Sequence, residues 1–210
     1  FACAGPTCIR AFETAGGLAK KELVVVQGTG PVGLFAIAWA AKAGCSVVAV
    51  GSGSNRKRLA LARRLGASMV LDYRKTAAEE RAKAVRKLAE RLGRGDGADV
   101  VFEASGSPRA IPEGLDLVRT LGRYIVPGQY SSSGGVEIQP QLITFKAIRI
   151  IGSGQYKLQD IGAYLDFLTR RRDVQRAFAA CVTHRYRVRD ANKALANASK
   201  GKSVKGVFTP

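Results

Sequence analysis

Leu23-Val24-Val25-Val26-Gln27-Gly28-Thr29-Gly30-Pro31-Val32-Gly33 is the stretch that decides how the chain is read. Its first five residues form a short apolar run, which predicts a buried strand. Gly28, Gly30 and Gly33 then fall at G-x-G-x-x-G spacing. Pro31 to Ala43 is apolar nearly all round, as expected of a helix packed against a sheet. A glycine-rich turn between a strand and a helix is a phosphate cradle. Gly28 allows the tight turn, Gly30 lets the backbone approach a pyrophosphate, and Gly33 lets the helix pack closely on the strand. Pro31 and Val32 open the helix, whose free N–H groups and partial positive charge favour an anion. The spacing alone is a weak signal, and a plain glycine-rich turn would share it. The strand before it, the helix after it and a second strand beyond give it meaning.

Outward from this turn, strands and helices alternate. Further strands are predicted at Ser46 to Val50, Ser68 to Leu71, Ala98 to Glu103, Tyr124 to Val126 and Ala147 to Ile151. Helices are predicted over Asn55 to Leu65, with Asn55 as N-cap and Gly66 just past the end, over Ala77 to Leu92, and over Pro108 to Leu121. Pro112 falls in the first turns of the last, where proline is best tolerated. The charged residues between Ala77 and Gly95 read as a solvated helix face. The alternation predicts an α/β fold: a Rossmann, doubly wound, six-stranded parallel sheet in the order 3-2-1-4-5-6. The ligand crevice then lies outside the carboxyl ends of strands one and four. A small C-terminal α+β segment follows. It comprises a helix over Leu158 to Arg172, with Ile161, Tyr164, Leu165 and Leu168 on one side, then Val182 to Tyr186, Arg189 to Ala198 and Val204 to Phe208. The boundary near Gly152 to Gln155 separates residues 1–153 from 154–210.

Composition narrows the function classes. The chain has 210 residues, of which 46% are hydrophobic, enough for one substantial core. No apolar run is long enough to span a bilayer, and no signal peptide is visible, so no membrane partner and a cytoplasmic setting are expected. Phe1 is not an initiator Met, and the chain is expected to begin inside a longer gene product. Cys3, Cys8, Cys45 and Cys181 are scattered, which argues against a disulfide framework and for a reducing compartment. The net charge of +18 has three readings: solvated basic helix faces, a phosphate-bearing ligand, or nucleic acid. No basic–aromatic interleaving favours nucleic acid, and aromatic residues make up only 7%.

The end of strand two is the second landmark. NAD-preferring folds place Asp or Glu there, about 20 residues on, to bind the ribose 2′-hydroxyl. Here the sequence runs Gly51-Ser52-Gly53-Ser54-Asn55-Arg56-Lys57-Arg58, without a carboxylate. Gly51 and Gly53 are expected to leave room for a 2′-phosphate. Ser52 and Ser54 can donate hydrogen bonds to it, and Arg56 or Arg58 charge-assisted ones. NADP(H) is expected over NAD(H). On the other reading, Arg56 to Arg58 merely begin a solvated helix.

Several further segments resemble one family. Cys3-Ala4-Gly5-Pro6-Thr7 is similar to its CAGxT segment, and Val24 to Gly33 to its strand and turn. Arg58 to Ala67 is similar to its RLELAKELGA helix end, and Gly122 to Gly128 to its fifth strand. Thr183-His184-Arg185-Tyr186 and Gly201-Lys202-Ser203-Val204-Lys205 resemble its ITHRF and GKSIR segments. Together they make the chain resemble the C-terminal part of a medium-chain dehydrogenase/reductase, the zinc-dependent alcohol dehydrogenase superfamily. The resemblance implies an oxidoreductase moving a hydride between a nicotinamide dinucleotide and a small alcohol or carbonyl substrate, in a homo-oligomer, dimer or tetramer. It implies that Thr7 lies near the nicotinamide, that Ala104, Ser105 and Gly106 line the cofactor crevice, and that Pro127, Gly128 and Gln129 flank the nicotinamide. Lys205 would pair with the pyrophosphate, or be a surface lysine. Cys3 would be a zinc ligand, or a small apolar residue.

The sequence also departs from that pattern. The family's barrel-like catalytic domain, with the other zinc ligands and most of the substrate pocket, is not represented, so zinc is expected only with that domain. His184 belongs to the C-terminal segment and is read as structural. Exposed apolar surface is expected where the separate domain would dock. The alternatives are a non-catalytic dinucleotide-binding or sensor module and, resting on charge alone, a nucleic-acid-binding protein.

Overall fold

Strands without polar alternation need cover on both faces, and helices on either side supply it here. The computed structural model describes residues 2–54, 56–129 and 131–210. The predicted N-cap Asn55 lies outside the described residues. Strands β1 (Leu23–Gln27), β2 (Ser46–Gly51), β3 (Met69–Asp72), β4 (Ala98–Glu103), β5 (Val118–Val126) and β6 (Arg149–Gly152) form one parallel sheet in the order β3-β2-β1-β4-β5-β6. Every residue of β1 and β4 is buried. The topology is the doubly wound one expected.

The helices are α1 (Ala4–Thr14), α2 (Pro31–Lys42), α3 (Arg56–Arg64), α4 (Ala78–Arg91), α5 (Ala110–Leu117), α6 (Gln141–Phe145), α7 (Leu158–Thr169), α8 (Arg172–Ala179) and α9 (Ala191–Ser199). One core joins Val24, Val26 and Phe102 of the sheet to residues of α1, α2, α3, α7 and α8. Phe35 of α2 is its aromatic hub, with ring centroids 5.6 Å from Tyr164 and 5.7 Å from Phe178. The opposite core joins Val25, Val101 and Tyr124 to Val85 and Ala89 of α4 and Leu115 and Leu117 of α5. Strands β7 (Val182–Tyr186) and β8 (Lys205–Phe208) pair in parallel around α9. No helix among the described residues is long and apolar enough to cross a membrane.

Several expectations are corrected. The helix predicted over Pro108 to Leu121 stops at Leu117, and β5 begins at Val118, not Tyr124. Val118 is buried opposite Ala98, and Arg119 is drawn to Asp99, so these residues belong to the sheet side. Helices α1 and α8 were not predicted. Both carry the signal, with Ala4, Cys8, Ile9 and Phe12 in one and Val174, Ala177 and Phe178 in the other at helical spacing. In α7 the buried residues are Asp160 and Tyr164, whereas Leu165 is 53% exposed. The helix packs on the core through Tyr164 with Ala163, Phe167 and Leu168, and Arg10 of α1 donates two hydrogen bonds of 2.8 Å to Asp160 on the same side. The α4 surface is not wholly solvated either. Arg81 is buried and forks onto Glu113 of α5 at 2.6 and 2.9 Å.

Asp99 ties the base of the sheet together. It accepts from the Leu23 N–H at 2.7 Å, from Arg94 at 2.8 and 2.5 Å, and from Arg119 at 2.7 Å. Burial alone would raise its pKa. The hydrogen bonds from Arg94, Leu23 and Arg119 outweigh that and hold the carboxyl below its ordinary range. Its contribution to stability is therefore present above the unfolded-state pKa of about 4 and is lost as pH falls through the lower folded value. Asp99→Asn should cost about 3 kcal/mol at neutral pH, because two guanidiniums lose their carboxylate. It should also flatten the loss of stability below about pH 4. Denaturant unfolding across pH checks both; an unchanged neutral-pH midpoint would contradict the reading. Gly114 supplies a second test, since a Cβ there would lie 2.3 Å from the Tyr124 ring. Gly114→Ala, ordinarily favourable in a helix, should destabilise by about 2 kcal/mol. A raised melting temperature would show that the ring can move aside.

Candidate functional site

Backbone hydrogen bonds carry the ladder one step beyond the strands and set their exit turns in a row. The Gly28 N–H donates to Val50 at 2.8 Å, Ala104 to Gln27 at 2.8 Å, and Gly128 to Glu103 at 3.1 Å. Gly28 has φ +107°, a conformation that favours glycine. A Cβ on it would also meet Ala104 and the Ser105 nitrogen at 2.8 Å, and one on Gly33 would lie 1.9 Å from the Gly28 oxygen. Gly30 differs, because nothing lies within 4 Å of where its Cβ would be. It is the N-cap of α2, with no side-chain cap. The Leu34 N–H closes the first helical bond on Gly30, at 2.8 Å. The Val32 and Gly33 N–H groups precede that bond and have no partner within the helix. An open side at Gly30 and unspent donors beside it form the cradle that the sequence implies.

The loop after β2 departs from expectation. Gly51 and Gly53 do not leave open space. A Cβ on Gly51 would strike Thr29 and Leu59, and one on Gly53 would lie 1.9 Å from Oδ2 of Asp72. A carboxylate is therefore present at this loop, delivered by the end of β3 rather than β2. The Ser52 and Ser54 hydroxyls lie 2.7 Å apart and bond each other. Arg56 begins α3. Arg58 donates to the Ser203 carbonyl at 2.9 Å. With Lys205, Tyr186 and Phe208 it lines a cavity of about 280 Å³.

Glu103 ends β4, fully buried, and was missed in the sequence. Its signal is an acid closing an apolar strand. Its Oε1 accepts from the Ser105 N–H at 2.7 Å, the Ser105 hydroxyl at 2.6 Å and the Gly106 N–H at 3.0 Å. The Ala104-Ser105-Gly106 turn is thus shaped by a carboxylate beneath it. A Cβ on Gly106 would lie 3.0 Å from the Gly128 oxygen, so the turns after β4 and β5 touch. Below them the Tyr124 hydroxyl donates to Gln27 at 3.1 Å, and Gln27 donates to Ala110 at 2.9 Å. Burial, then the charges of Glu103 and Glu113, push that hydroxyl's pKa up.

Helix α1 reaches the cradle through Cys8, whose buried thiol donates to the Val32 carbonyl at 3.1 Å. Burial raises its pKa well above the ordinary thiol value. Thr7 is adjacent, its hydroxyl donating to the Cys3 carbonyl at 2.9 Å. The structure thus brings Thr7, Gly28 to Gly33, Gly51 and Ala104 to Gly106 around one edge, with Gly128 beside them. Lys205 is grouped instead with Arg58 and the C-terminal segment. His184 lies 2.9 Å from the Thr183 hydroxyl and stacks on Tyr186.

Four buried polar side-chain atoms lack a partner among the described residues: Glu103 Oε2, Gln129 Nε2, Ser153 Oγ and Arg58 Nε. The first three belong to residues at or just beyond the carboxyl ends of β4, β5 and β6, and the fourth to α3 where it meets the C-terminal segment. Zinc fits less well. Cys3 is an exposed lone thiol, and no group of three His, Cys, Asp or Glu among the described residues could hold a metal ion.

Comparison with known proteins agrees with this architecture. The family model described as zinc-binding dehydrogenase matches residues 31–170. A 5-exo-hydroxycamphor dehydrogenase of Pseudomonas putida is 34% identical over 98% of this chain and 55% of its own length. A sorbitol dehydrogenase of Halalkalibacterium halodurans is 30% identical over 91% of this chain and 52% of its own. The crystal structure of an alcohol dehydrogenase from Thermotoga maritima superposes with a TM-score of 0.89 at 30% identity, covering 99% of this chain and 55% of that one. The chain thus spans about half the length of the curated relatives it matches. With the six-stranded order, the glycine turn and the family match over most of its length, the chain belongs to the zinc-binding dehydrogenase family.

Proposed function

We propose that the chain holds NADP(H) as the cofactor-binding part of an oxidoreductase acting on an alcohol/carbonyl pair. The observation that carries this reading is the position of three unpartnered buried polar atoms, Glu103 Oε2, Gln129 Nε2 and Ser153 Oγ, at or just beyond the carboxyl ends of β4, β5 and β6. Doubly wound sheets bind ligands at that edge. When bound, the nicotinamide supplies the hydride chemistry. The residues of the chain bind and orient. The Val32 and Gly33 N–H groups take the pyrophosphate over the open face of Gly30. Ser105, Gly106 and Gly128 line the nicotinamide end, with Thr7 above. Ser52, Ser54 and Arg56 offer donors to a 2′-phosphate, which supports NADP(H) over NAD(H).

Cys3 could ligate zinc only alongside ligands from outside these residues, and no step is assigned to a metal. Within this reading residues 1–153 carry the cofactor, and 154–210 meet a separate catalytic unit. Exposed Leu158, Leu165, Val188, Leu195 and Phe208 support that division. Assembly as a dimer or tetramer is part of the same reading, supported by exposed Ile150 on edge strand β6 and by nearby Phe145. Four free cysteines support a reducing, cytoplasmic setting.

Two glycine variants separate binding from folding. A Cβ on Gly30 meets no atom and its backbone is extended, so Gly30→Val should lower the unfolding midpoint only by the modest amount a poorer N-cap costs. Its side chain fills the cradle, and NADPH affinity, read by cofactor fluorescence, should fall at least about tenfold. Gly33→Ala should instead destabilise the fold by about 2 kcal/mol. Undiminished NADPH binding by Gly30→Val would refute the cradle.

A further inference from the structure

Asp72 closes β3 and pairs in register with Gly51 of β2. Its Oδ1 accepts the Gly53 N–H at 2.9 Å and the Arg74 N–H at 3.1 Å. A Cβ on Gly53 would lie 1.9 Å from the Asp72 Oδ2, so a side chain there would require the carboxylate to move. The Gly53 N–H is the first cause holding this carboxyl below its ordinary pKa, so it is ionised at neutral pH. In this fold a carboxylate at the end of strand two meets the adenosine ribose, accepting its 2′-hydroxyl and repelling a 2′-phosphate. The residue at that position here is Gly51, and the loop built on it holds a carboxylate from the neighbouring strand.

We infer that Asp72 is a specificity-determining residue that reads the 2′ position of the adenosine ribose through the Gly51 to Ser54 loop. The inference rests on the dinucleotide reading above and deepens it. Ser52, Ser54 and Arg56 draw a 2′-phosphate, and Asp72 opposes it. The preference for NADPH is therefore smaller than the basic loop alone would give. The glycine at position 53 lets the Asp72 carboxylate lie against the loop backbone, where it accepts the Gly53 N–H at 2.9 Å. Arg74 and Lys75 lie near enough to favour the ionised carboxyl and soften the repulsion, but they do not cancel it.

Asp72→Asn tests this with little change of shape, because the amide oxygen still accepts from Gly53 and Arg74 while the charge is gone. Affinities for NADPH and NADH are measured by fluorescence titration at low and moderate salt. NADPH binding should tighten about fivefold or more at low salt, with the gain shrinking as salt rises. NADH binding should stay level or weaken. Asp72→Ser, which keeps a short acceptor for the Gly53 N–H, should shift the ratio in the same direction and guards against a folding defect in the first variant. Equal changes for both dinucleotides would mean that Asp72 only shapes the loop, and would overturn the inference; so would weaker NADPH binding. If the wild type prefers NADH, the NADP(H) reading fails, yet the shift on removing the charge still decides the role of Asp72. Failure of every form to bind either dinucleotide would overturn both.

Discussion

Between the Gly28 carbonyl and the Gly33 α-carbon there is no room for a methyl group, and the site depends on that contact. A Cβ on Gly33 would approach the oxygen to 1.9 Å. The contact seats α2 directly on the turn after β1 and so aims its first N–H groups at the carboxyl edge. Gly28 in turn nests on Ala104 and Ser105, which locks the turn after β4 against the turn after β1. Gly30, between them, has open space instead. One six-residue motif thus contains two positions closed by packing and one kept clear. Packing sets the geometry, and the clear position is where a ligand could use it.

Buried ion pairs hold the frame behind that edge. Asp99 gathers β1, Arg94 and Arg119, and Arg123 reaches Glu22 at 2.6 Å along with the carbonyls of Ala15 and Gly17. Arg81 with Glu113 joins α4 to α5, and Arg10 with Asp160 joins α1 to α7. A buried pair contributes little net stability over apolar packing, but losing one partner is costly. Two of these pairs, Arg81 with Glu113 and Arg10 with Asp160, bridge neighbouring helices, and the others bridge strands and the loops at their bases. Each of these pairs sets a basic residue against an acidic one, so they leave nearly all of the net charge of +18 to other basic residues.

The central sheet was legible because its signals are local. The apolar runs of β1, β2 and β4 and the Gly28 to Gly33 turn needed only neighbours in sequence. The rest depended on contacts that spacing does not encode. Asp72 lies nineteen residues from Gly53, and only the β2–β3 register brings them together. The run after β2 therefore read as free of carboxylate although one sits against it. Asp160 on the packed side of α7 meets Arg10, distant by 150 residues. Helix α5 looked longer because Val118 to Leu121 fit either an apolar helix or a strand. Glu103 was passed over because an acid at the end of a strand gives no sign of whether it faces water or the turn above it.

Amide hydrogen exchange with and without saturating NADPH tests most directly whether this edge is a dinucleotide site. Slower exchange at Val32, Gly33, residues 51–54 and residues 104–106, with little change at the opposite end of the sheet, is the predicted result. Unchanged exchange at those amides, or protection confined to β7 and β8, would contradict it.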